Sequence, residues 1–510
     1  MKKQSLIKAT FVLGFAGILS KFLGIFFRWP LQLLIGDEGV GYYQMSYPLY
    51  MFFIAVASGI PVAVSKIVSE KNADGDIDGS FDVFNKALML MFIMGIGFSF
   101  FLLMFSNKLI YFFKWDTKAL YALIAIAFAP IIISVMSAFR GFFQGFQNMG
   151  PTAVSQVIEQ IGRILIGISL AFILLPKGIE YSAAGAAFGA TAGGIFATIY
   201  LFSKYVRCRR NYVIKKIKNT KSMELIIRTA IPISVGACSG SIMNLIDSAI
   251  VPRKLLEAGF TYKESTILFG QLSGKAAILI NVPLTLSIAL SAALVPIISE
   301  YYVMRKKIKY AHAIENSIKL ANVISFPSFL GLYFFSYPIL SLIFRGQTGG
   351  ALILKFLAIS IPFLVLTQIT TSILQSINKF KIPVFNLFIG CIVKIAAVVI
   401  LVPKSKFNIY GAVIGSILAY IITSLLNLLV LIKTLRIKMN IYELFLKPAM
   451  ASIIMIIFVE FIYLYVYNVT VSMDLACIVA IFIGVIIYLL LVVVFKIFSY
   501  KFLKEKFRRR

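Results

Sequence analysis

Hydrophobic blocks of about 20 residues or more, separated by short polar or basic stretches, recur along the whole chain. A hydrocarbon core about 30 Å thick needs about 20 apolar residues per helix. The blocks therefore predict fourteen spans, near 6–35, 42–69, 83–106, 119–140, 151–175, 182–204, 224–251, 275–299, 314–343, 350–376, 383–402, 409–432, 445–467 and 474–497. The expected fold is an all-α polytopic membrane protein, with two pseudo-symmetric six-helix lobes followed by two C-terminal helices. The predicted organisation is an N-lobe at 1–204, a basic linker at 205–222, a C-lobe at 223–434, and helices 13 and 14 with a basic tail at 435–510.

Composition excludes the soluble alternative. Of 510 residues, 60% are hydrophobic and only 14% charged, and mean hydropathy is +0.93. Globular proteins carry nearer a quarter charged residues, so lipid must solvate most of this surface. Lys2 and Lys3 lead into an apolar stretch with no A-x-A cleavage site, which reads as a retained first span. The isolated Cys208, Cys238, Cys391 and Cys477 and the single His312 form no disulfide or multi-histidine metal pattern.

The net charge is +30, which in a soluble chain would suggest nucleic acid. Here it has two other uses, topology and anion binding, and no nucleic-acid partner is expected. Loop charge is biased roughly threefold towards one side, so both termini are expected to be cytoplasmic. The stretch 205–222 is the only long basic linker; it reads as a solvated, topology-setting segment that can also attract anionic headgroups.

The two groups of six spans resemble each other weakly. Gln44 precedes a span that closes at Ser69-Glu70, and Gln271 precedes one that closes at Ser299-Glu300. Gln144, Pro151 and Arg163 recur in order as Gln375, Pro383 and Lys394. A parallel duplication of this kind suits a transporter that binds substrate between lobes and alternates access by rocking them.

About eleven Lys and Arg fall within predicted spans, against about three acids. Each cation at mid-bilayer costs about 2.5–3.5 kcal/mol on insertion scales. Lys66, Lys86, Arg228, Lys319 and Lys447 lie near helix ends and are expected to snorkel. Arg163 follows Glu159 by one turn, the spacing of a structural ion pair. Lys21, Arg28, Lys275, Lys355 and Lys394 lie deeper without a sequence-local acid, and are expected to face a cavity suited to an anion. Asp247 is expected either to pair with one of these cations or to bind a coupling cation.

Gly24 and Pro30 in the first span, Pro48 and Pro61 in the second, Pro232 in the seventh, and Pro283 and Pro296 in the eighth are expected to bend helices, marking candidate gates. Gly185, Gly189 and Gly193, and likewise Gly411 and Gly415, form close-packing faces. The loops are too short for a catalytic domain, so no enzyme is expected. The segment Gly270 to Ala276 is a near miss for a phosphate loop, one spacer short and with Ala276 where Ser or Thr is needed. Without a nucleotide site or cofactor, the drive must come from an ion gradient (Na+ or H+), the substrate gradient or the membrane potential. Moving a charge of −2 outward across about 100 mV, inside negative, is favourable by about 4.6 kcal/mol.

The run from Gly17 through Ser20, Lys21, Gly24 and Arg28 to Pro30, continued by Gly36-Asp37-Glu38-Gly39, Gly41, Gln44 and Pro48, resembles the stage V sporulation protein B family. Ser58-Gly59 with Pro61 and Ser65, Arg140-Gly141 with Gln144, and Pro296 with Ser299-Glu300 fit it too. That family belongs to the MurJ-like exporters of the multidrug/oligosaccharidyl-lipid/polysaccharide flippase superfamily. The resemblance implies a V-shaped pair of lobes, a cationic cavity lined by helices 1, 2, 7 and 8, and flipping of an undecaprenyl-linked peptidoglycan precursor such as lipid II, with spore cortex synthesis as one setting. The family's Ser-Arg-x-Leu-Gly-x-x-Arg pattern stands here as Ser20-Lys21 to Arg28, with one extra spacer and Lys for the first Arg. Lys275 stands about a turn out of register with the family's helix 8 arginine. A sodium site known in parts of the superfamily would draw on Asp247, with Asn386 or Thr423. The implied partners are a lipid-linked anionic glycan, membrane lipids and wall-synthesis enzymes. A different undecaprenyl-linked glycan (a teichoic acid or capsule unit) and a non-transporting scaffold for wall synthesis stay open as alternatives.

Overall fold

The computed structural model describes residues 6–213, 221–435 and 439–497. It divides into two compact units, Met1–Gly274 and Lys275–Arg510. The chain passes from one to the next inside a π-helical turn, Gln271–Ala276. The basic stretch 205–222, where the sequence suggests a boundary, lies within the first unit, and its residues 214–220 are outside those described.

The first unit holds ten helices among the described residues: α1 (Leu6–Ala57), α2 (Gly59–Ala73), α3 (Ile77–Met104), α4 (Ser106–Phe113), α5 (Ala119–Ile126), α6 (Ala129–Gly145), α7 (Gly150–Leu174), α8 (Ile179–Arg209), α9 (Lys221–Glu257) and α10 (Tyr262–Gly270). α1 is two helical arms joined at a kink. Gly36 adopts φ 62° and ψ −169°, a conformation open essentially to glycine alone. On a straight helix residues 28 and 47 would be about 28 Å apart. Instead the Arg28 guanidinium carbon lies 5.8 Å from the Tyr47 ring centroid, so α1 folds back at Gly36 as a helical hairpin. Gly24 and Pro30 lie within its helical backbone, so the break expected there falls at Gly36 instead.

α1 ends at Ala57, whose carbonyl Pro61 cannot reach with a hydrogen bond. In α9 the 52° bend lies between Cys238 and Gly240, past Pro232, in a stretch that begins with Gly236. Asp76 caps α3 from outside the spans: Lys71 Nζ and the Gly79 N–H donate to its carboxylate, both at 2.7 Å. These bonds hold the Asp76 carboxyl below the usual aspartate range.

The second unit comprises α11 (Ala277–Val303), α12 (Lys307–Phe334), α13 (Ser336–Ile343), α14 (Ala351–Leu357), α15 (Ile361–Ser376), α16 (Lys381–Leu401), α17 (Ile409–Leu435), α18 (Lys447–Thr470) and α19 (Met473–Val494). α18 and α19 pack on each other and on Phe335 through Met455, Ile456, Val459, Ala480 and Val492. Pro283 sits inside an unbroken α11; the Pro296 side chain is outside the described residues.

Among the described residues, twelve helices are long and apolar enough to cross a bilayer, and the bent α9 makes thirteen. The α1 hairpin with α2 counts once in that tally although α1 doubles back, so the passes number about fourteen. Three of the five cations expected to snorkel pair with an acid one helical turn away, Lys66 with Glu70 (3.9 Å), Lys86 with Asp82 (2.7 Å) and Lys447 with Glu443, and Glu443 also takes Lys319 from another helix (3.5 Å).

Candidate functional site

Helix packing builds a charged cluster in the first unit. α8 presents its glycine face to α7: a Cβ on Gly189 would stand 2.9 Å from the Arg163 carbonyl oxygen, and one on Gly193 would collide with the Glu159 carbonyl. Backbones can approach this closely only where side chains are absent. The contact pins the turn that carries Glu159 and Arg163 and directs both side chains away from α8, towards α6 and α1.

There Glu159 receives two guanidiniums. Arg140 Nη2 donates to Glu159 Oε2 at 3.0 Å, and Arg163 Nη2 lies 3.7 Å from Oε1. Arg140 Nε also donates to Ser155 Oγ at 2.9 Å. Arg163 is 9% exposed; its Nη1 donates to Tyr47 Oη at 3.4 Å, while its Nε is buried with no hydrogen-bond partner. Tyr47 is shared, because Arg28 lies over the face of the same ring.

Tyr43, Tyr47 and Tyr50 form a ladder along one face of α1, with centroid spacings of 5.3 and 5.7 Å, and Phe27 extends it on the opposing arm. Three guanidiniums and one carboxylate give the cluster a net positive charge within the apolar spans. The arrangement supplies what binding of a phosphate or pyrophosphate needs: forked donors, a low-dielectric setting and flat aromatic walls. In the sequence Arg140 ends the predicted span 119–140 and does not stand out as a deep cation, and neither it nor the tyrosines are among the predicted site residues. The tyrosine spacing at i, i+4 and i+7 is the signal that marks one helical face.

The other nominated residues are placed differently. Lys275 is 1% exposed; its ammonium donates to the carbonyls of Gln347 (3.0 Å) and Gly349 (3.3 Å) and lies 5.6 Å from the Phe344 ring. These bonds use two of the three ammonium donors, so Lys275 is held to a loop rather than free in an open cavity. Lys355 lies 5.0 Å over the Tyr333 ring, and Lys394 is buried on α16. The Lys21 side chain is outside the described residues.

Asp247 is half-buried on α9 in the first unit. Asn386 belongs to the second, where its Nδ2 donates to Asn427 Oδ1 at 2.8 Å and Asn427 Nδ2 donates to Thr371 Oγ1 at 3.1 Å. Thr423 joins them by donating to the Asn386 carbonyl at 3.5 Å. Oxygens of this type are hard, neutral donors of the kind Na+ accepts.

The polysaccharide biosynthesis protein family matches residues 6–302, and the MatE family matches residues 276–400. Stage V sporulation protein B of Bacillus subtilis strain 168 is 30% identical over 87% of this chain and 86% of its own length. The chain belongs to the stage V sporulation protein B family of polysaccharide biosynthesis proteins. The same bacterium's lipid II flippase MurJ is 28% identical over 84% of this chain and 83% of its own length. A solved lipid II flippase MurJ, in an inward closed conformation, shares the fold with a TM-score of 0.70 at 17% identity, covering 95% of this chain and 99% of that one. Membership in this family and the apolar helices agree on a multi-pass membrane protein.

Proposed function

We propose that this protein moves an undecaprenyl-pyrophosphate-linked peptidoglycan precursor, lipid II or a close variant, from the inner to the outer leaflet of the bacterial cytoplasmic membrane by alternating access. The observation that carries the reading is the Arg28–Tyr47–Arg163 arrangement: two guanidiniums on one tyrosine, within the apolar spans. Arg28 and Arg163 bind the pyrophosphate, Glu159 limits the net charge so that release stays feasible, and the tyrosine ladder lines the path. Lys21, Lys275, Lys355 and Lys394 add to the positive potential. Gly36, at the turn of the α1 hairpin, and the break before Pro61 are where the helices can flex.

The similarity to the sporulation relative supports spore cortex synthesis as the setting. The membrane potential supplies the drive for a doubly charged anion, alone or with Na+ or H+ coupling. The test is a flipping assay in proteoliposomes, comparing lipid II with other undecaprenyl pyrophosphate glycans. Lipid II transport should fall at least tenfold in Arg28→Ala and fall less in Arg28→Lys, which keeps the charge but loses the fork. Equal inactivity on every glycan, or full activity in Arg28→Ala, would sink the proposal. Unchanged transport after collapse of the potential would remove that driving force alone.

A further inference from the structure

We propose that the surface end of α8 binds the headgroup of an anionic phospholipid. A cavity of about 360 Å³ opens there, lined by Phe202, Tyr205, Val206, Arg209, Arg210 and Tyr212. Two exposed guanidiniums stand on its rim, and among the described residues no acidic side chain lines it. Its floor is rigid: Tyr205 is buried in an aromatic cluster, with ring centroids 4.8 Å from Phe84, 5.4 Å from Phe142 and 5.5 Å from Phe139. Tyr212 closes the opposite wall against Phe81, at 5.9 Å.

The pocket grades from apolar to charged along one helical face. Phe202, Val206 and Arg209 follow at i, i+4 and i+7, so they stack on one side of α8 over a rise of about 10 Å. Phe202 is 54% exposed, whereas Arg209 and Arg210 stand at the helix end, so a bilayer-spanning α8 would set the ring at acyl depth and the guanidiniums at the surface. A free phosphate would use the guanidiniums and leave the wall of exposed Phe202 and half-buried Val206 bare. A phospholipid uses both, laying a chain along that wall and its phosphate in the arginine fork. This is a site for a resident lipid, separate from the Arg28–Arg163 cluster, and it steadies the seam where α3, α6 and α8 meet.

Native mass spectrometry of the full chain, exchanged into mixed phosphatidylglycerol and phosphatidylcholine nanodiscs and released, reads this directly. Phosphatidylglycerol should be retained in preference to phosphatidylcholine. Retention should drop about tenfold or more in Arg209→Gln/Arg210→Gln, fall in Phe202→Ala, and stay unchanged in Arg207→Gln, an exposed neighbour outside the cavity. Because all three arginines are exposed, the variants keep the packing of the fold. Equal retention in the double variant would overturn the site. So would an equal loss in Arg207→Gln, which would mean unspecific surface charge, or displacement of the lipid by millimolar inorganic phosphate, which would mean a phosphate site.

Discussion

In the first unit, Gly189 of α8 packs against the carbonyl of Arg163; in the second, Gly415 of α17 packs against that of Lys394, where an added Cβ would stand 3.3 Å from the oxygen. The offset that sets Gln144 on Gln375 and Arg163 on Lys394 also sets Arg140 on Thr371, Ser155 on Asn386 and Glu159 on Gly390. One unit thus holds a charged network, Arg140–Ser155–Glu159–Arg163. The other holds a neutral one, in which Thr371 and Asn386 are joined through Asn427. Both tie helices together in lipid, where an unsatisfied polar group is costly. Only the charged one carries ionised groups within the network itself, so the close packing is repeated while the polar chemistry that ties the helices differs.

Glu159→Gln should break that contrast most strongly. It strips the acid from two guanidiniums in the apolar spans, and losing one partner of a buried ion pair costs about 3–5 kcal/mol. Thermal unfolding of the detergent-solubilised protein should show a large drop in Tm. A drop no larger than that of Asn427→Ala would mean that the acid is not what holds the charged cluster. Gly36→Ala comes next. The added Cβ has open space around it, so the whole penalty is backbone strain, about 1–3 kcal/mol. It should also separate Arg28 from Tyr47, lowering transport along with stability, whereas Ala at Gly17, equally open but without a positive φ, should do neither.

Asn427→Ala in the neutral network should cost about 0.6–1.7 kcal/mol, the range of interhelical hydrogen bonds in membranes. Transport per folded molecule should hardly change; a large selective transport loss would show that the second network has a direct functional role.

The smallest effect is at Asp76, outside both networks. Its folded carboxyl titrates below its unfolded value, so its stabilisation is complete above the ordinary aspartate pKa near 3.9 and is lost as pH falls from there through the lowered folded value. Because the pair with Lys71 is partly exposed, solvent screens it, and Asp76→Asn should cost under about 1 kcal/mol at neutral pH. The variant's stability should also lose that part of the acid dependence. A difference between the proteins that grows with acidity instead would contradict the assignment.

The fold was largely legible because hydrocarbon thickness and loop charge impose simple rules on a linear chain: apolar length gives the spans, and Gly185, Gly189 and Gly193 mark a packing face without further help. The site was legible only in part. Arg28 stood out because it is a deep cation with no local acid. Arg140 did not, since it lies at a predicted span edge and finds Glu159 only because α6 runs on to Gly145 beside α7. Lys275 looked like a cavity cation, yet its carbonyl partners lie more than seventy residues away in sequence. Hydrophobicity and charge are summed along the chain, and they settled the class, the approximate number of passes and the excess of positive charge. Which cations share a tyrosine, which meet an acid and which are tied to a loop carbonyl depends on where helices fold back and cross. Short-range hydrogen bonds and close packing act between residues distant in sequence, so the tertiary structure alone decided them.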